Sequence, residues 1–302
     1  MPGLKVRVAT RGSKLSIEQV KIALSHISRV LGKVEYELVI VKTRGDIVTD
    51  KPIRDIGFKG VFEKEVNQAV LDGRADIAIH SMKDLPARID ERLDIVVVPP
   101  RGDPRDAIVP PPPGPTLRSL PERAVVGTSS ARREALLLYH NDGITVKPLR
   151  GNLDTRLGKL SAGEYDYIVV SEAGLQRLGV RVERLVLPIY DFPPAPGQGL
   201  IAVVGLKGDP LASKLRKADD KLSRIMAEAE RAFLEKAGGG CRIPVGGVAV
   251  VRGDKILFTA AVVSPDGSRA FWVRSKGDIR DPRRVGLEAG EAISAGIEKV
   301  LE

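Results

Sequence analysis

The amino-acid sequence predicts an α/β protein, two similar lobes followed by a small C-terminal α+β domain. Three observations carry this expectation. β-type and helical runs alternate through the first hundred residues. A second series of the same kind follows a proline-rich stretch, and from Gly246 the pattern changes to strands joined by turns.

Leu4 to Ala9 is a short β-type run, and Val20, Ala23, Leu24, Ile27 and Leu31 recur at helical spacing. Tyr36 to Lys42 predicts a second strand, Gly60 to Leu71 a second helix and Ala75 to Ile79 a third strand, a βαβ succession. The prolines between Val109 and Thr116 cannot pair in a sheet, so this stretch is expected to be an extended surface connection. Beyond it come a strand at Ala124 to Gly127, helices at Ala131 to His140 and Thr155 to Ser161, and a strand at Tyr165 to Val170. The two series share an internal likeness. Gly73-Arg-Ala-Asp76 leads in five residues to Ser81, and Gly163-Glu-Tyr-Asp166 leads in five to Ser171. Two lobes with a cleft between them follow, and Pro194-Ala-Pro-Gly-Gln-Gly199 can return the chain from the second to the first. After Gly246, strands and turns through Arg274 are closed by a helix from about Pro282.

Composition limits what such a fold does. The chain has 302 residues, 48 Lys and Arg against 39 Asp and Glu, and a formal net charge of +9. That is long enough for two or three cored domains, and no run approaches the ~18 apolar residues of a membrane span. Met1 to Leu15 moves straight into a strand containing Lys5 and Arg7 and lacks the apolar segment of a secretory signal, so a cytoplasmic protein is expected. One cysteine, Cys241, excludes an internal disulfide, and three scattered histidines give no metal-ligand pattern; no metal is expected. The excess positive charge calls for an acidic partner. At 4% aromatic content, with arginines placed singly in short motifs, the chain does not look like a nucleic-acid reader, and a carboxylated small molecule fits better.

Candidate binding residues lie where strands hand over to helices. Arg11-Gly-Ser13 and Thr128-Ser-Ser130-Ala-Arg-Arg133 would there bring backbone N–H groups, hydroxyls and guanidinium groups onto an anion. Either motif alone is equally a capped helix start with exposed arginines; two in corresponding positions favour binding. Arg150-Gly-Asn-Leu-Asp-Thr-Arg156 gains meaning only in their company. His80-Ser-Met-Lys-Asp-Leu-Pro86 begins at the carboxyl end of an apolar strand, where open α/β folds hold ligands, although Lys83 and Asp84 could also form a solvated turn. A lone cysteine is more commonly a small buried hydrophobe, but Gly238-Gly-Gly-Cys241-Arg242 sets the thiol among glycines and beside a cation, which argues for an accessible setting that favours thiolate.

Taken in order, these segments resemble the porphobilinogen deaminase (hydroxymethylbilane synthase) family of tetrapyrrole and haem biosynthesis. The resemblance rests on Arg11-Gly-Ser13, Lys59-Gly60-Val-Phe62, Ala75 to Pro86, Asp103-Pro-Arg-Asp-Ala107, Val126 to Arg133, Leu149-Arg-Gly-Asn152, Pro196-Gly-Gln-Gly199 and Gly239-Gly-Cys241. It spans about the first 250 residues, and the remainder matches only in pattern.

The resemblance implies a monomeric transferase with two lobes like a type II periplasmic binding protein. Expected divisions are 1–99 with 199–217, 100–198, and a third domain at 218–302 carrying the cysteine loop. It implies a dipyrromethane cofactor joined by a thioether to Cys241. Four porphobilinogens are then added head to tail; each loses ammonia to give an azafulvene that the terminal pyrrole attacks, and water releases the linear tetrapyrrole. Asp84 is the implied catalytic carboxylate. Lys83, Ser81, Thr128, Ser129, Ser130, Arg132, Arg133, Arg150 and Gly151 are implied cofactor contacts, and Arg11, Ser13, Lys59, Phe62, Arg156 and Gln198 implied substrate contacts. Arg101 and Arg105 are weaker candidates for the same chain of carboxylates. One departure stands out: the family often has a basic residue shortly before the Lys-Gly pair, where this chain has Asp55 preceded by Arg54. A non-catalytic two-lobed binder of a carboxylated ligand is the main rival, and it would not need Cys241; a nucleic-acid-binding protein is supported by charge alone.

Overall fold

A computed structural model describes residues 4–43, 63–238 and 243–301. The expected Lys59, Phe62 and Cys241 contacts, together with Arg54 and Asp55, lie outside the described residues.

The first lobe is built from β1 (Leu4–Arg11), α1 (Lys14–Leu31), β2 (Val34–Val41), α2 (Lys64–Leu71), β3 (Ile77–Ser81) and β4 (Leu93–Val97). The second contains β5 (Asp106–Val109), β6 (Val125–Gly127), α3 (Ala131–His140), β7 (Thr145–Lys147), α4 (Leu153–Ser161), β8 (Tyr167–Ser171), α5 (Glu172–Arg177) and β9 (Leu185–Val186). The chain then returns through β10 (Ile201–Leu206) and α6 (Pro210–Leu215).

The strand orders are β2-β1-β3-β10-β4 and β7-β6-β8-β5-β9. In each sheet the first three strands are parallel and the fourth runs against them. The internal likeness is therefore a shared topology, with Ser81 and Ser171 closing equivalent strands β3 and β8. In each sheet that fourth strand is the one the chain enters on crossing over from the other lobe: β5 after leaving the first, β10 after leaving the second. The crossings touch, since Gly102 N–H donates to Gly199 O at 3.0 Å. Gly199 has a φ of +82°, and a Cβ there would stand 2.5 Å from Gly102 O, so only glycine permits this approach.

Strands β3, β4, β5 and β10 are largely buried on both faces because helices cover both sides of the sheets. The same double burial erases alternation, and β4, β5 and β10 carry no period that sequence reasoning detects. The proline run between the lobe's first two strands is mostly exposed, as expected.

The third unit contains α7 (Lys221–Lys236), the antiparallel meander β11 (Val245–Arg252), β12 (Lys255–Val263) and β13 (Ala270–Asp278), and α8 (Pro282–Leu301). Its core centres on Phe233 and Phe258, 5.1 Å apart between ring centroids. Ala227 of α7 packs into the first lobe's core and Val263 of β12 into the second's, so the unit is seated on both. Among the described residues no helix is long and apolar enough to cross a membrane.

Candidate active site

Polar side chains gather at the carboxyl ends of β1, β3, β6 and β8, beside the two crossings. At the end of β1, Arg11 is half-buried, and Ser13 caps α1 by accepting from Ser16 N–H at 3.2 Å. In the equivalent place on the second lobe, Ser130 caps α3 by accepting from Arg133 N–H at 3.4 Å. Thr128 is buried and its hydroxyl accepts from Ser130 N–H, while Ser129 Oγ donates to Leu149 O at 2.9 Å. Gly151 has a φ of +107°, and Arg156 Nε donates to its carbonyl at 2.8 Å, folding that arginine back over the start of α4. Arg150 is half-buried beside it.

Beyond β3 the chain makes one 3-10 turn, Met82–Asp84. Ser81 Oγ exchanges hydrogen bonds with the Gln19 amide at 2.7 and 3.1 Å, and Met82 N–H donates to Leu200 O. Lys83 Nζ donates to Gln198 Oε1 at 3.2 Å, leaving Asp84 exposed at the tip. Burial first, and then the charge of Arg133, lower the Lys83 pKa to about 8, against the pull of Asp84 and Asp106. Burial likewise lowers Arg156 to about 10, with Arg133 and Arg150 adding to it and Asp84 opposing. Lys83 and Asp84 of one lobe thus lie within electrostatic reach of cations on the other. At the cleft's rim the lobes are also joined by Lys14 Nζ and Asp154, 2.9 Å apart and both well exposed.

Arg132 and Arg133 are not simply surface donors. Both are buried, and both pair with the fully buried Asp106, each at 2.7 Å. Arg132 also donates to Pro193 O at 2.8 Å and lies over the Phe192 ring, and Arg133 donates to Val169 O at 3.0 Å. Burial alone would raise the Asp106 carboxyl. The two guanidinium charges and the bonds from Arg133 and Gln198 outweigh it and hold the carboxyl below its ordinary range. Gln198 Nε2 reaches Asp106 at 2.8 Å while its Oε1 accepts from Lys83, so one side chain links the first lobe's lysine to the second lobe's ion cluster.

Arg101 and Arg105 both have partners within the chain. Arg101 is committed to Glu230 at 2.6 Å and to the carbonyls of Gln198 and Ala249, a buried junction of the crossing with the third unit. Arg105 pairs with Asp103 at the surface.

Sequence reasoning missed Arg177, which donates to Gly199 O at 2.7 Å and whose pKa burial lowers to about 10. It lines a cavity of about 20 Å³ between the lobes, together with Gln19, Ser81, Lys83, Ser171 and Gln198. The one available signal was its place six residues after Ser171, the counterpart of Ser81. Among the described residues no group of His, Cys, Asp and Glu is arranged to hold a metal.

Fold and site together define a two-lobed protein whose interlobe cleft collects cations around one exposed carboxylate. The family model "Porphobilinogen deaminase, dipyromethane cofactor binding domain" matches residues 6–214, and "Porphobilinogen deaminase, C-terminal domain" matches 225–295. The chain is 54% identical over 288 residues to a probable porphobilinogen deaminase of Hyperthermus butylicus, covering 95% of each. It is 47% identical over 298 residues to that of Aeropyrum pernix, covering 98% of this chain and 97% of the other. Among solved structures, a TRAP periplasmic solute binding protein from Desulfovibrio salexigens aligns over 72% of each chain at 12% identity and a TM-score of 0.40. The chain belongs to the porphobilinogen deaminase family. It is a transferase of tetrapyrrole biosynthesis whose larger matched segment is the dipyrromethane-binding domain, and the last fifty residues, matched only in pattern by sequence reading, fall largely within the second model. The rival reading as a non-catalytic binder is not supported.

Proposed function

We propose that this chain joins porphobilinogens head to tail with release of ammonia, on a dipyrromethane held through Cys241, and that water finally releases linear hydroxymethylbilane. The observation that carries the site assignment is the exposed Asp84 on one lobe within electrostatic reach of Arg156 on the other.

The donor set fits the cofactor. Each pyrrole ring carries an acetate and a propionate, and Asp106 balances only one of the two charges on Arg132 and Arg133. The surplus positive charge is buried, where an opposing carboxylate is worth far more than in water. Lys83, Arg150, and the Ser129 and Ser130 groups at the α3 N-terminus complete a cradle for the cofactor's side chains. When bound, the dipyrromethane supplies the nucleophilic pyrrole carbon on which the product grows.

Arg11, Ser13 and Arg156, with Lys59, Phe62 and Gln198, orient the incoming substrate. Asp84 stands beside the positive charge that develops on the substrate's pyrrole nitrogen and departing amine. The division into 1–99 with 199–217, 100–198 and 218–302 is part of this reading, supported by β10 lying in the first sheet. So is a cytoplasmic monomer whose partner is the small molecule alone, without nucleic acid or membrane.

Intact-protein mass spectrometry tests the reading. A covalent increment of two pyrrole units is expected on the parent chain and absent from Cys241→Ser; an unmodified yet active parent overturns the assignment. A second expectation concerns pH. Lys83 carries its charge below its pKa and loses it above, so carboxylate binding weakens as pH rises. The value of kcat/KM should therefore fall through an inflection at or above about pH 8, because bound carboxylates move the inflection upward. Lys83→Arg, which stays charged, should lack it; an unchanged inflection in that variant removes Lys83 as its source.

A further inference from the structure

Arg231 lies on α7, in the third unit, and does not belong to the cation cluster of the cleft. Its Nη1 donates to Pro86 O at 3.1 Å and its Nη2 to Ala87 O at 2.7 Å. Those carbonyls directly follow the turn that presents Asp84. The turn is thus held at four places: at Ser81 by Gln19, at Met82 N–H by Leu200 O, at Lys83 by Gln198, and at Pro86 and Ala87 by Arg231. Only the last of these bonds comes from the third unit.

The helix that supplies it is anchored independently. Glu230, the neighbouring residue, accepts from Gly197 N–H at 2.5 Å, from Arg101 at 2.6 Å and from Ala249 N–H at 2.8 Å. Removing the Arg231 guanidinium therefore leaves α7 where it is and releases the carboxyl side of the Asp84 turn. Cys241 follows five residues after the end of α7.

We propose that Arg231 is a positioning residue that sets the register between Asp84 and the helix leading to Cys241. This rests on the reading of Asp84 and Cys241 given above. Neither carbonyl is an ion-pair partner, so the side chain acts through geometry: a planar fork holds two successive carbonyls in a fixed relation, which an ammonium on a flexible stem does not impose. A displacement of about 1 Å at a reacting group can cost roughly a hundredfold in rate. Loosening one of four anchors is a smaller perturbation, and a loss of about tenfold in kcat is expected.

The test uses the holoenzyme. Arg231→Met and Arg231→Lys are compared with the parent for covalent mass, for thermal midpoint, and for kcat and KM per primer-loaded molecule. The expected result is the two-pyrrole increment in all three proteins, KM changed by less than about twofold, kcat lower by about tenfold in the methionine variant, and partial rescue by lysine. A merely structural role would lower the midpoint and the yield but leave kcat per loaded molecule intact. A loss of kcat below about threefold in Arg231→Met overturns the proposal; if that variant does not fold, the same limit applied to Arg231→Gln decides. A parent chain without the increment instead overturns the cofactor reading, a separate failure.

Discussion

Asp84→Asn is expected to turn over two to three decades more slowly than the parent while retaining its two-pyrrole mass increment. The substitution keeps size and shape and removes one negative charge at an exposed position, so no core packing is lost and the fold should be unaffected. What changes is the field at the cleft. Lys83, Arg133, Arg150 and Arg156 all bear on the same region, and Asp84 opposes their mutual repulsion at Lys83 and Arg156. A reaction that develops positive charge on a substrate nitrogen among those cations depends on that carboxylate. A preorganised group of this kind contributes about 3–4 kcal/mol, and each decade of rate is about 1.4 kcal/mol. Loss of the increment along with activity would mean that Asp84 acts in cofactor assembly. Turnover at the parent rate would remove it from the mechanism.

Much of this site was legible in the sequence because its parts sit at punctuation. Ser13 and Ser130 are helix caps after apolar strands, and Lys83 and Asp84 follow the apolar run Ile77 to Ile79. Both places leave a local pattern, and the match of Gly73 to Ser81 with Gly163 to Ser171 showed that the lobes were duplicates. The misses share a different cause. Strands β4, β5 and β10 are buried on both faces, and a short apolar run without alternation has no period to read. Asp106, Glu230 and Arg231 are charged residues whose partners lie from 19 to 145 positions away, so nothing near them in sequence marks their role. The same holds for Arg101, whose partners Gln198, Glu230 and Ala249 lie 97 to 148 positions away. A charge in a motif predicts that a partner exists, and only the fold says whether that partner is a ligand or another side chain.

The ion cluster beneath α3 separates those two duties experimentally. In Asp106→Asn, Arg132 and Arg133 keep their burial but lose the one carboxylate that pairs with both. Removing one partner from a buried ion cluster costs about 3–5 kcal/mol, because the remaining charge is stranded in low dielectric. For a chain of this size, that lowers the thermal midpoint by roughly 5–8 °C. Acid should reveal the same group. The Asp106 carboxyl is held below its ordinary range, so the unfolded chain takes up its proton first; the stabilisation is complete at neutral pH and is lost as pH falls below roughly 4. That fraction of the acid dependence should be missing in Asp106→Asn. The decisive comparison is the triple variant Asp106→Leu, Arg132→Met, Arg133→Met, which replaces all three charges with apolar groups of similar bulk. Its midpoint should recover most of the loss, since a buried ion cluster as a whole adds little net stability. Its primer content and turnover should remain near background, because the surplus charge offered to carboxylates is gone. A triple variant that is stable, loaded and active would show that Arg132 and Arg133 serve only each other and Asp106.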